Sequence, residues 1–176
     1  MMTGIPIENS LWTAYLLTIF FVVAGFAVYD VLYRRVPDRA LVFFIPLAAL
    51  APVLQGYFLL NHGLPPLFLW PVATHALVSA LLGFCIPLAA ALATNSTGLG
   101  GGDIKFCGIL GLVYGPSGMA LVFLTAAVTA MPVIFLLRRL YRTGQPLAIP
   151  FLPFLACGCC TATLAQLFLS LQIKNQ

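Results

Sequence analysis

The sequence predicts an all-α, polytopic membrane protein with about six transmembrane helices. Three observations predict it: scarce charge, long uncharged runs, and basic residues gathered in short clusters. Only 7% of the 176 residues are charged and 62% are hydrophobic, whereas soluble domains carry roughly 25% charged residues. The mean hydropathy is +1.07. Charged positions divide the chain into uncharged runs at 9–29, 40–102, 106–137 and 143–173. A helix needs about 20 apolar residues to cross ~30 Å of hydrocarbon, and each run is long enough. Without water in the bilayer core, backbone groups must pair within each segment, and helices achieve this.

The first helix reads 11–29 and ends at Asp30. It lacks a positive lead-in and is too long for a cleaved signal, so it is a retained span. After the polar loop "DVLYRRVPDR" the second helix reads 40–60, and "NHGLPP" turns the chain. The third reads 68–93, ending near "TNSTGLGGG". The run 106–137 accommodates one tilted helix or two hinged at "GPSG", Gly115 to Gly118, a strong turn signal. Charge decides between them. With two helices, Arg34, Arg35, Arg39, Lys105, Arg138, Arg139 and Arg142 share one side and only Lys174 lies opposite. With one helix the two arginine clusters fall on opposite faces, against the positive-inside bias. Six spans follow, with the basic side cytoplasmic. The fourth, 103–115, covers only about 20 Å, so it starts in a thinned or water-reached vestibule. Residues 1–176 read as a single transmembrane domain in the cytoplasmic membrane. The net charge of +4 resides in these loop clusters, which suits membrane lipid rather than nucleic acid.

Four acidic residues exist: Glu8, Asp30, Asp38 and Asp103. Glu8 is near the N-terminus, and Asp38 sits among arginines in the basic loop. Asp30 and Asp103 differ, because the topology places each at the cytoplasmic end of a helix. Asp103 follows the glycines of "GLGGGDIKF", Gly98 to Phe106. Ionisable groups at membrane depth tend to face a polar interior. Two carboxylates that face each other share one proton, so one serves as base and the other as acid. Such a pair activates water for attack on a peptide carbonyl without a metal or cofactor. Glycines beside it let a substrate backbone approach closely. A structural alternative pairs Asp30 with Arg34 and Asp103 with Lys105 as interfacial ion pairs. Composition and spacing alone leave both readings open.

The motifs resemble a known family. "GLGGGDIK" resembles the GxGD signature of membrane-embedded aspartyl proteases, with Gly100, Gly102 and Asp103 filling the pattern. "YDVLYRRVPDRAL" resembles the first landmark of type IV prepilin peptidases, an aspartate, basic residues, then Ile/Val-Pro-Asn. Here Pro37 is present but Asp38 replaces the usual Asn. "IPFLPFLACG", Ile149 to Gly158, resembles that family's third landmark. The resemblance implies an endopeptidase that removes the basic leader of prepilin-like proteins, with Asp30 and Asp103 as its catalytic pair. Larger members carry a cytoplasmic segment with paired CxxC motifs and also methylate the new N-terminus. The loop 30–40 is short and has no cysteine, so the chain resembles the minimal, peptidase-only branch, such as the enzymes of Flp-type tight-adherence pili.

Other motifs read as structural. Cys85, Cys107, Cys157, Cys159 and Cys160 lack zinc-site spacing and are expected to be small buried packing residues. His75 is expected to pack rather than ligate. No Gly-Lys-Ser/Thr follows the glycines, so they form no phosphate loop. "NST" at Asn95 matches a glycosylation acceptor on the wrong side of the membrane. Lys105, two residues from Asp103, favours that carboxylate's ionised form or anchors the helix at the interface. Two readings from other classes compete with the protease: a small proton-coupled carrier, and a non-catalytic pilus or secretion subunit. Both aspartates sit at helix ends and no inverted repeat is visible, which disfavours the carrier.

Overall fold

The computed structural model describes residues 5–34, 36–93, 100–140 and 150–174. Arg35, Asn95, Gly98 and Arg142 lie outside the described residues. The described chain is all helical: α1 (Ile5–Tyr33), α2 (Asp38–Asn61), α3 (Leu69–Ala93), α4 (Gly101–Leu140) and α5 (Leu152–Lys174), with one 3-10 turn at Pro66–Phe68.

Helical periodicity decides which side of each span faces inward. On α1 the buried positions are Leu16, Ile19, Val23, Ala27 and Asp30, recurring every three or four residues along one stripe. Leu41, Phe44, Ala48 and Ala51 form the matching stripe of α2. Leu152, Leu155, Cys159 and Ala162 form that of α5. The remaining faces carry exposed Phe, Leu and Val side chains, as lipid-facing surfaces do.

The run that the sequence divides at "GPSG" does reverse there. Gly115 adopts φ 70 and ψ 175 inside α4, a region essentially reserved for glycine, and Pro116 adds no N–H. Contacts with α5 fix the direction of each arm. Gly158 of α5 lies against Val122 and Thr125, whereas Gln166, further along α5, lies against Gly118. The arm 116–140 therefore runs antiparallel to α5. The arm 101–114 runs the other way, since the Tyr114 hydroxyl at its far end pairs with Thr163 Oγ1 at 3.0 Å. Six α-helical segments result among the described residues, and Arg34, Arg39, Lys105 and Arg139 collect at one end of the bundle. The carbonyl of Tyr114, freed by the reversal, accepts from Gln166 Nε2 at 3.4 Å.

Some element boundaries shift. α1 continues past Asp30 to Tyr33, so Asp30 lies within the helix rather than at its end. It stops at Arg34, whose φ of 52 is left-handed. α2 begins two residues early because the Pro37 carbonyl accepts from the Ala40 and Leu41 amides at 3.0 and 3.3 Å. At "NHGLPP" the amides of Gly63 and Leu64 return to Leu60 and Leu59, with Gly63 at φ 77, a Schellman ending.

Two packing features hold the site end together. A Cβ on Gly111 would strike the Ser79 backbone, and one on Gly83 the Cys107 carbonyl. α3 and the first arm of α4 thus meet backbone to backbone, as small residues allow in membranes. Phe26, Phe44 and Phe106 join α1, α2 and α4, with ring centroids 5.1 to 5.8 Å apart. The cysteine expectation holds in part: Cys107 and Cys159 are buried and Cys160 half-buried, but Cys85 and Cys157 are exposed. Apolar lipid accommodates a thiol as readily as a packed interior does. His75 is also exposed, its ring beside Gly115.

Gly115→Ala should destabilise the protein by about 1–3 kcal/mol, measured as a lower denaturation midpoint in detergent. Phe106→Ala should cost about 3–5 kcal/mol in the same measurement, since it leaves a cavity between three helices.

Candidate active site

Asp30 and Asp103 both lie on inward stripes. Asp30 is only 5% exposed. Asp103 is half-buried and in line with the fully buried Phe106, Cys107 and Leu110. Phe26 precedes Asp30 by four residues and Phe106 follows Asp103 by three. The 5.1 Å contact of those rings thus sets α1 against α4 one turn below the carboxylates. Asp103 lies within electrostatic range of Asp30.

Each carboxylate is held by backbone N–H groups. Asp30 Oδ2 accepts from the amide of Leu152 at 3.3 Å. Leu152 opens α5, and the first amides of a helix have no partner within it. Its partial positive end suits a buried anion. Asp103 sits in the first turn of α4. The Gly100 carbonyl accepts the Asp103 and Ile104 amides at 3.1 and 3.4 Å, while backbone Gly100 hydrogen-bonds the Asp103 carboxylate. This is the reciprocal half of a capping box. The end of α1 and the starts of α2, α4 and α5 therefore gather around two acids.

The other residues singled out by sequence divide between this site and its rim. Gly100 joins Asp103. Gly102 faces Val36, where a Cβ would come within 2.9 Å of the valine Cβ. Its missing side chain thus admits the α1–α2 connection, a use that the sequence did not indicate. Pro37 starts α2. Lys105 reaches neither aspartate of the pair; its Nζ bonds Asp38 Oδ1 at 2.9 Å. This replaces both sequence pairings of those residues, Lys105 with Asp103 and Asp38 with the loop arginines. The reason is geometric: successive residues on a helix point in different directions, and Lys105 faces α2 while Asp103 faces α1.

Sequence reasoning missed the Leu152 amide and the aromatic trio. The first carries no side-chain signal, since only a fold reveals which backbone amide meets a distant carboxylate. The second had one: phenylalanines at helical spacing from each acid. Among the described residues, no three His, Cys, Asp or Glu side chains converge as metal ligands. Two carboxylates within electrostatic range of each other, each bonded by a backbone amide, can share a proton.

The chain is similar to known proteins. A family model described as the type IV leader peptidase family matches residues 15–135, a span that includes both aspartates. The prepilin leader peptidase/N-methyltransferase of Bacillus subtilis (strain 168) is 33% identical over 136 residues, which is 75% of this chain. The match covers 48% of that protein, so the chain spans about half the length of the curated relative it matches. No solved structure matches. By the extent of the family match and the identity to this relative, the chain belongs to the type IV leader peptidase family.

Proposed function

We propose that the chain is an intramembrane aspartyl endopeptidase that removes the basic leader of prepilin-like proteins at the cytoplasmic membrane face. The observation that carries this reading is the meeting of Asp30 and Asp103, two acids from distant parts of the chain, on inward stripes at the same end of the bundle. Each also occupies a position that matches the family's motif.

In the proposed reaction a water held between the carboxylates attacks the scissile carbonyl. Asp30 takes the water's proton, because the Leu152 N–H aimed at Oδ2 suits an acceptor-only carboxylate. Asp103 supplies a proton first to the carbonyl oxygen. Asp30 then passes its proton to the departing amine as the C–N bond breaks, and Asp103 recovers one from the gem-diol, leaving a new carboxyl group on the leader. Lys105, paired with Asp38, belongs to the rim rather than to the proton transfer. We further propose cleavage without methylation of the new N-terminus. The connection between α1 and α2 is only a few residues long and offers no cysteine.

Asp30→Asn and Asp103→Asn should each lower leader cleavage in membranes by about 10²–10⁴-fold, read by sequencing the product's N-terminus. Full processing by either variant, at normal protein levels, would remove the aspartyl mechanism. Mass spectrometry of the wild-type product should find its N-terminus unmethylated.

A second comparison tests the positioning of Asp30. Leu152 is the first helical residue of α5, where proline is tolerated. Leu152→Pro removes the N–H, whereas Leu152→Ala keeps it and loses only packing. The proline variant should be slower than the alanine variant by about tenfold, as expected for a hydrogen bond to a charged group. Equal rates would exclude a role for that amide.

A further inference from the structure

A groove of about 630 Å³ opens between α2, α3 and the first arm of α4. Its wall is apolar, with Val42 and Ile45 on one side, Leu81 and Phe84 on the other, and Leu112 deep along the arm. Its rim is not. Asp38 and Lys105 line the mouth and form the ion pair described above, with side chains 73% and 56% exposed. From Lys105 to Leu112 the groove follows about two helical turns of the arm whose first turn carries Asp103.

We infer that this groove seats the apolar helix of the prepilin substrate, and that Asp38 at its rim meets a basic residue of the leader. The inference rests on the peptidase reading and adds where the substrate lies. The occupant must be apolar over two turns and charged at the mouth. It must also bring a peptide bond to the turn that holds Asp103. A lipid chain meets the first condition but carries no peptide. A helix that follows a basic leader meets all three, since its apolar side chains fill the groove while its cation exchanges for Lys105 at Asp38. The volume falls within the roughly 300–1,000 Å³ of ordinary ligand sites.

Photo-crosslinking tests the seat. Benzoylphenylalanine replaces Leu81 or Val42, both exposed in the groove, or Leu164, equally exposed on α5. The host is the Asp103→Asn chain, coexpressed with a prepilin-like protein. Prepilin adducts should form several-fold more from positions 81 and 42 than from 164. Equal adducts, or lipid adducts alone from the groove, would overturn the inference while leaving the peptidase reading intact. In parallel, Asp38→Asn should raise KM about twofold to fivefold, the worth of an exposed ion pair. That penalty should vanish with a leader whose basic residues are glutamine. A penalty that persists with the neutral leader would overturn the role of Asp38. If the wild-type chain cuts no prepilin, the peptidase reading fails and takes this inference with it.

Discussion

The reversal at Gly115 is the constraint on which the rest of the molecule depends. Unbroken, the 40 residues of α4 would run about 60 Å, twice the hydrocarbon thickness. The start of α5 would then lie across the bilayer from Asp30, and the Leu152 amide could not reach it. Folding α4 back on itself returns the chain to its starting side. The cost is a carbonyl left without its helical partner, which must find another donor. Gln166 supplies that donor, and the Tyr114 hydroxyl pairs with Thr163 close by. Their place in otherwise greasy helices follows from the turn beside them.

The site inverts the usual difficulty of burying acids. An isolated carboxylate in hydrocarbon is costly, yet here each meets the backbone N–H groups of a helix start. No arginine or lysine among the described residues is spent on neutralising the pair, since Lys105 turns outward to Asp38. Among the described residues the carboxylates therefore keep backbone partners rather than cations. Beneath them, Phe26, Phe44 and Phe106 set the separation of three helices. Acids and aromatic packing occupy adjacent turns of the same stripes, polar above and aromatic below.

Much of this was legible in the residues. Charge scarcity gave the class, and the arithmetic of basic clusters chose the reversal over a single tilted span. The two acids stood out because so few charges interrupt the chain. The partners were less legible, for distinct reasons. Asp30 is held by a backbone amide 122 residues away, and every residue but proline has one. Lys105 stands two positions from Asp103, but on a helix that spacing separates two side chains rather than joining them. Cys85 and Cys157 were read inward because thiols are commonly buried, a tendency learned in water that weakens where the surroundings are lipid.

The close approach of α3 to the first arm of α4 has a further consequence. α3 lends no group to the carboxylate site, yet it fixes the height and tilt of the arm that carries Asp103. Its two sides therefore answer to different rules. The outward side, with Val78, Leu82 and Ile86, can drift among greasy residues of many shapes. The inward side, with Ser79 against Gly111 and Gly83 against Cys107, cannot grow by a single methyl without displacing the arm. A helix that takes no part in the chemistry thereby governs its alignment through what it lacks.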